Sequence, residues 1–410
     1  MEKVLMRLAL IIDDYLPHST RVGAKMFHEL ACYYVRLGHQ VTVITPSEGQ
    51  KKRLVKTQLS GVNIWSFSSG TIKDTTKIKR AINETVLSFR AWRAISSEIK
   101  PETFDGIIYY SPSIFWGKLV DKIKSRCQCK AYLVLRDLFP QWAVDAGIIR
   151  QGSLIEKYFR FFEKQSYRQA DKIGLMSEKN RQIFNAATSD QYQTEVLRNW
   201  AELKPHTLIN PDDSVRKKLN LEDKVIYFYG GNIGHAQDMG NLMRLVRSMS
   251  AYEKAHFLFV GQGDEVNLVN HLAEKWSLSN FTYLPSVNQQ EFKNLLCDID
   301  VGLFSLSAKH TAHNFPGKLL GYMVQSKPIL GSVNQGNDLL ETINDNQAGY
   351  LSINGEDKEL YQNALSLYHN ELLRKDVGKR AYRLLEDAFS VQAAAGVIID
   401  NLKRKDERIQ

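Results

Sequence analysis

Asp137 and its neighbour Arg136 stand directly after an apolar run, Ala131–Leu135, where α/β enzymes place functional groups. A carboxylate there can accept a proton or orient a sugar hydroxyl, and a guanidinium can counter a phosphate. A structural Arg–Asp pair has the same spacing. A second set, Gly230-Gly231-Asn232-Ile233-Gly234-His235-Ala236-Gln237, follows the apolar run from Val225 and precedes helical periodicity at Leu242, Leu245, Val246 and Met249. A strand, a glycine turn and a helix start gather backbone N–H groups and a partial positive charge, which suits a diphosphate. An ordinary strand-to-helix turn tolerates the same glycines. Gly261-Gln262-Gly263-Asp264-Glu265 repeats the pattern and lets a nucleoside approach the backbone, although the two acids equally suit a helix dipole. In the stretch His310–Lys318, Pro316 and Gly317 fit a helix start, and Lys318 is the wrong sign for that dipole. Its presence points to an anion. Near the beginning, Ser19 or Thr20 suits an N-cap, with Arg21 and Gly23 placed for a phosphate or an acceptor hydroxyl; a capped surface loop reads the same way. Asp298-Ile299-Asp300 has spacing that Mg²⁺ or Mn²⁺ accepts, but Asp300 more simply ends the element before an apolar strand.

Positioning these groups takes an alternating framework. Strands are expected at Val4–Ile12, Gln40–Ile44, Val62–Phe67, Gly106–Tyr110, Ala131–Leu135, Lys172–Met176 and Glu195–Leu197. Helices are expected at Ser19–Arg36, Thr76–Ile99, Ile114–Lys124, Leu154–Arg168 and Glu178–Asn185, with Lys51–Lys56 and Gly70–Lys79 as exposed loops. After a polar linker, Ala201–Asp213, the alternation resumes from Val225 to His369 and a final helix covers Val391–Leu402. Two doubly wound parallel sheets follow, with ligands beyond the carboxyl ends of their strands and a cleft between the domains as the default site.

Length and charge agree with that division. At 410 residues the chain is too long for one core. Residues 1–200 hold 31 Lys and Arg against 19 Asp and Glu, a net of +12. The remainder holds 23 against 26, a net of −3. An anionic partner is therefore expected on the first half: nucleic acid, anionic lipid or a phosphorylated substrate. Leu154–Arg168 mixes Leu, Tyr and Phe with Lys and Arg, the composition of a helix lying on an anionic membrane and also of a core helix with a basic outer face. Four cysteines, none in a zinc spacing, fit a reduced, metal-free cytoplasmic chain. No apolar run approaches the length of a membrane span.

The chain resembles family 4 of the retaining nucleotide-sugar glycosyltransferases. The likeness runs through Leu37-Gly38-His39-Gln40-Val41-Thr42-Val43-Ile44-Thr45, Val260-Gly261-Gln262-Gly263, Tyr283-Leu284-Pro285, and Asp338–Asp345 with Gly349-Tyr350-Leu351. Arg136-Asp137-Leu138-Phe139-Pro140 and the Gly231–Gln237 motif are similar to a bacterial subgroup that assembles O-antigens and capsules, N-acetyl-L-fucosamine transferases above all. The resemblance implies the α/β GT-B fold, two Rossmann-like doubly wound domains facing a central cleft. Residues 1–202, with a returning helix at about 388–404, would bind acceptor, and 203–387 would bind donor. It implies a UDP-sugar donor, a polyprenyl-diphosphate-linked acceptor at the inner face of the plasma membrane, no nucleic acid, no cofactor and no bound metal. Catalytic roles fall on Arg136, Asp137 and His313; donor contacts on Gly231, Asn232, Gly234, Gln237, Gly261, Gly263 and Lys318; acceptor contacts on Arg21 and Gly23. The chain departs from the family's commoner pattern. Asn232 and Gln237 stand where an Arg and a Lys usually hold the diphosphate, His313 and Gly321 where two glutamates are usual, and Arg136 where a histidine is frequent. Backbone N–H groups and Lys318 would then carry more of the anion binding. A GT-B epimerase, or a nucleotide-sugar-binding protein that has lost catalysis, would share the fold. A dinucleotide oxidoreductase is disfavoured, because no Gly-x-Gly-x-x-Gly opens the first domain.

Overall fold

The structure is a computed structural model that describes residues 5–19, 21–72, 76–145, 147–208, 210–309 and 315–403. It divides into two compact units, one of residues 1–198 with 391–410, the other of residues 199–390.

The first unit is built on eight strands: β1 (Arg7–Ile11), β2 (Gln40–Glu48), β3 (Leu54–Leu59), β4 (Val62–Ser69), β5 (Gly106–Ser111), β6 (Lys130–Leu135), β7 (Lys172–Leu175) and β8 (Thr194–Val196). They lie in the order β3-β4-β2-β1-β5-β6-β7-β8. All pairs are parallel except β3 with β4. Its helices are α1 (Val22–Arg36), α2 (Lys77–Thr85), α3 (Leu87–Ile95), α4 (Gly117–Cys127), α5 (Gln141–Asp145), α6 (Leu154–Gln169) and α7 (Glu178–Thr188). β1, β5 and β6 are almost wholly buried, as strands covered on both faces must be.

Two local differences from the sequence reading have simple causes. β3 occupies part of the stretch expected as loop: its polar residues suit an exposed edge strand, and Ser60 and Gly61 (φ 51° and 81°) make the tight hairpin turn into β4. The long helix expected over Thr76–Ile99 is two helices, separated at Val86, whose ψ of 3° leaves the helical region.

The second unit has six parallel strands: β9 (Val225–Asn232), β10 (Ala255–Gln262), β11 (Phe281–Leu284), β12 (Val301–Ser305), β13 (Ile329–Val333) and β14 (Gly349–Ile353). Their order is β11-β10-β9-β12-β13-β14. Its helices are α8 (Val215–Lys218), α9 (Met239–Ser248), α10 (Val266–Lys275), α11 (Gln289–Asp298), α12 (Gly317–Val324), α13 (Leu339–Asp345), α14 (Asp357–His369) and α15 (Glu371–Ala388). Successive residues of a strand face opposite sides, so Phe228 joins one core layer with Leu319 and Tyr322, and Tyr227 and Tyr229 join the other with Met239 and Leu242.

The last helix, α16 (Val391–Leu402), belongs to the first unit. The Tyr34 hydroxyl donates to Ala395 O at 3.0 Å, and Asn401 Nδ2 donates to Glu195 Oε1 at 2.8 Å. Among the described residues no helix is long and apolar enough to cross a membrane.

The strand order reverses between β1 and β5 in one unit and between β9 and β12 in the other. Open α/β sheets bind ligands beyond the strand ends at such points.

Candidate functional site

In the second unit one glycine loop leaves β9, a strand of the reversal point, and meets the loop that leaves its neighbour β10. Gly231 pairs with Gly261 across β9 and β10, and a Cβ added at Gly261 would stand 1.8 Å from Gly231 O. No side chain fits there, so the strand ends converge only through glycine. Gly261→Ala is expected to destabilise the protein by about 3 kcal/mol or more, read from chemical denaturation, because the clash is with backbone. Gly231 has φ +117°, a conformation that other residues rarely adopt. Beyond the pair the two loops are laced together: Ile233 N donates to Gln262 O at 2.9 Å, and Glu265 N donates to Ile233 O at 3.0 Å. Gly234 and Gly263 lie in this crossing, against Asp264 Oδ1 and Ile233 O respectively.

The crossing revises the picture of a bare N–H cradle. The Ile233 N–H is already bonded. The glycines also do not open straight into an α-helix: a single 3₁₀ turn, His235–Gln237, comes first. α9 then begins at Met239, with the Asp238 side chain accepting from Asn241 N. Asn232 Nδ2 donates to Gln237 Oε1 at 2.7 Å, so the two residues standing in for the usual cations hold each other.

Glu265 is spent on α9 rather than on its own helix. Its carboxylate accepts from Met239 N at 3.0 Å and lies 2.8 Å from His235 Nδ1, while His235 Nε2 lies 3.2 Å from Asp264 Oδ2. Asp298 and Asp300 are likewise structural: they accept from Val215 N and Ile226 N, and Asp300 also pairs with Arg216.

The cation of this site is Lys318, the second residue of α12, in the segment that returns from β12. Its Nζ is buried, has no hydrogen-bond partner among the described residues, and sits 3.8 Å from the centroid of the Tyr229 ring. The same Nζ is 3.5 Å from where a Cβ at Gly231 would be, so the ammonium borders the glycine turn directly. Burial alone lowers its pKa to about 7. A buried cation without a counter-ion is unfavourable unless an anion completes it. Tyr229 in turn is fixed by donating to Asn232 O at 2.5 Å. Nothing in the sequence singled out Tyr229, since an aromatic within an apolar run reads as core. An anion held by Lys318 requires its protonated form. The affinity for an anion that does not titrate near neutrality, such as a diphosphate diester, is therefore expected to fall as pH rises above about 7. The limiting slope is about tenfold per unit, measured by calorimetric titration.

In the first unit, Arg136, Asp137 and Gly23 come together around Tyr110 near the end of β5. A Cβ at Gly23 would contact the Tyr110 ring at 3.1 Å, so Gly23 lets α1 approach the sheet. Burial pushes the Tyr110 hydroxyl up to about 12, opposed by Arg136 and reinforced by Asp13 and Asp137. Tyr110, too, reads as core in the sequence. Arg136 is half-buried and grips carbonyls, donating to Leu135 O at 3.3 Å, Gly174 O at 3.4 Å and Arg198 O at 3.2 Å. Burial brings it down to about 10. Asp137 is raised to about 6 by burial, an effect that the nearby Trp142 moderates. Arg21 occupies the N-cap of α1 without a side-chain cap, with Nε 3.6 Å from Asp14 Oδ2. Ser19 is therefore not the cap; its Oγ accepts from Arg21 N and donates to Asp14. His313 and Thr20 lie outside the described residues.

Comparison with known proteins adds independent information. Residues 211–384 match the family model described as "Glycosyl transferases group 1". The chain is 24% identical over 224 residues to the probable glycosyltransferase WbjE of Pseudomonas aeruginosa, a match over 54% of this chain and 55% of that protein, about half its length. Sucrose-phosphate synthase of Thermosynechococcus elongatus superposes over 98% of this chain and 100% of its own, with a TM-score of 0.69 at 14% identity. Anabaena HepE, solved in complex with UDP and glucose, superposes over 97% and 99% with a TM-score of 0.66 at 13% identity. The second unit thus matches the glycosyl transferases group 1 model, in a chain with the GT-B fold.

Proposed function

We propose that the protein is a retaining glycosyltransferase that moves a sugar, an N-acetylated deoxyhexose such as N-acetyl-L-fucosamine, from a UDP-sugar to a polyprenyl-diphosphate-linked acceptor during surface polysaccharide synthesis. The observation that carries the donor half is Lys318: a buried ammonium on the Tyr229 ring, beside Gly231, in a domain matched by the group 1 model. HepE binds UDP on the same fold, which supports a UDP-linked donor. The acceptor half rests on the basic first unit and on the resemblance to the surface-polysaccharide subgroup.

Without donor, Lys318 is near its midpoint at neutral pH and its charge rests against an aromatic face. A diphosphate entering beside Gly231 draws a proton onto the amine and gains a desolvated cation. That cation steadies the negative charge that develops on the diphosphate as the glycosidic bond breaks. The acceptor hydroxyl then attacks on the face the diphosphate leaves, so retention requires no covalent intermediate on the protein. Asp137, a carboxyl poised near neutrality, is assigned to orient that hydroxyl and take up its proton. Countercharge is assigned to Lys318 rather than to a divalent metal, and chelation by EDTA is expected to leave the transfer rate unchanged within about twofold. We place the reaction at the cytoplasmic face of an anionic membrane.

The test offers a panel of UDP-sugars with polyprenyl-diphosphate-GlcNAc and reads products by mass spectrometry. One hexosamine added to the lipid acceptor supports the reading. Conversion of the UDP-sugar without acceptor would make the protein an epimerase. UDP binding with no turnover on any acceptor would leave it a nucleotide-sugar-binding protein.

A further inference from the structure

Three side chains outside the donor site meet beside the loop that leaves β1. His28 and Cys32 stand four residues apart on α1, on successive turns of one face. His28 Nε2 lies 3.4 Å from Cys32 Sγ, and its Nδ1 lies 2.8 Å from the Tyr15 hydroxyl. The Tyr15 and His28 rings meet edge to face, with centroids 5.6 Å apart. Tyr15 is buried, while His28 and Cys32 are half-buried. The order is that of an activated nucleophile: a thiol, a base within reach of it, and a third group on the base's second nitrogen. Burial pushes the Tyr15 hydroxyl well above its ordinary range, and Cys32 adds to the effect, so Tyr15 stays neutral. A neutral hydroxyl accepts from Nδ1–H, which leaves the Nε2 lone pair facing the thiol.

The other three cysteines are built differently. Cys127 Sγ donates to Lys100 O at 3.3 Å, and Cys297 Sγ donates to His206 O at 3.3 Å and Lys293 O at 3.4 Å. Cys129 is buried. Burial pushes all three thiols up, that of Cys129 to about 12. Such thiols react slowly, because the thiolate is the nucleophile. Among the described residues, Cys32 is the cysteine whose sulfur meets an imidazole.

We propose that Cys32 is a covalent modification site for low-molecular-weight disulfides, with His28 and Tyr15 as its positioning residues, and that the adduct loosens the loop between β1 and α1. His28 Nε2 takes the thiol proton, and the Cys32 sulfur attacks one sulfur of R–S–S–R. The Cys32–S–S–R bond forms as the original S–S bond breaks, and the leaving R–S⁻ takes the proton from His28 and departs as R–SH. The disulfide is the oxidant, and a second thiol reverses the step. A group attached to a sulfur 3.4 Å from Nε2 displaces the imidazole, and with it the bond to Tyr15. Tyr15 follows Asp14, whose carboxylate accepts from Ser19 Oγ at 2.5 Å and lies 3.6 Å from Arg21 Nε. Losing the tyrosine anchor therefore frees the segment that holds Arg21. Any effect on acceptor use rests on the transfer reading above; the modification does not.

The test treats the full chain with 4,4′-dithiodipyridine at pH 7, follows the released thiopyridone by absorbance and locates the adduct by peptide mapping. One thiol should react first, at Cys32, and Cys32→Ser should abolish that phase. An unassisted thiol, with a pKa of about 8.5, is only about 3% thiolate at pH 7. His28→Gln is therefore expected to slow the fast phase about tenfold while the three slow thiols keep their rates. Tyr15→Phe should slow it several-fold, with circular dichroism unchanged. Glutathione disulfide should form the same adduct, removable by dithiothreitol. Amide hydrogen exchange over 13–19 should quicken in the adduct and return to its first rate on reduction. A fast phase that maps to another cysteine, or a Cys32 phase of undiminished rate in both His28→Gln and Tyr15→Phe, would overturn the site. Unchanged exchange over 13–19 in the adduct would overturn the coupling. If Cys32 reacts first but no UDP-sugar is ever turned over, the transfer reading fails and the site stands.

Discussion

Lys318→Met is expected to weaken UDP-sugar binding by about 100-fold or more while making the protein more stable. The two effects have one cause. Methionine fills nearly the same volume over the Tyr229 ring but brings no charge into a buried, unpartnered position. In the unfolded chain the lysine stays protonated up to about pH 10.5, whereas in the fold it loses its proton near 7. Between those values the folded state binds fewer protons than the unfolded one, so the native protein gains stability as pH rises through the window. At and below pH 7 the destabilisation from this one side chain is fully present, on the order of 5 kcal/mol. The variant should escape it, melting several degrees higher at pH 7 and converging with the wild type towards pH 10. A variant that is both less stable and fully able to bind would mean that Lys318 is an ordinary structural residue.

The second large effect is expected at Asp137. Asp137→Asn keeps the shape but removes a carboxylate able to take up a proton, so kcat should fall by about two to four orders of magnitude. Donor affinity should change little, because the donor residues belong to the second unit. The wild-type rate should also fall as pH drops through about 6, since the raised carboxyl becomes neutral there, and Asp137→Glu should restore part of the rate. Stopped assays across pH 5–8 measure all three. An Asn variant with wild-type kcat would remove Asp137 from the chemistry.

The sequence carries the alternation that makes two doubly wound sheets, because parallel strands buried on both faces leave uninterrupted apolar runs such as Ala131–Leu135 and His256–Val260. It does not carry β3, whose half-exposed residues obey no strong pattern, nor the break at Val86, which no proline or glycine marks. Within the site, Lys318 was legible for a physical reason: a lysine opposes the dipole at a helix start, so its presence needs an explanation. Its partner Tyr229 was not, because β-strand aromatics are ordinarily core and only the fold shows which of them meets a charge. Arg136 is a different case. Its place at a strand end suggested a phosphate ligand, yet its guanidinium is bonded to three backbone carbonyls of its own unit. Asn232 and Gln237 were read as lost cations; the structure adds that they bond to each other and thereby shape the turn beneath Lys318.

The central claim is that a donor diphosphate completes the buried charge of Lys318. It is tested most directly by calorimetric titration of an intact UDP-sugar at pH 8, in two buffers of different ionisation enthalpy, with wild type and Lys318→Met. The wild type should take up close to one proton for each donor bound, and the methionine variant none, with its weak residual binding independent of buffer. Tight wild-type binding without proton uptake, equalled by the variant, would contradict the account.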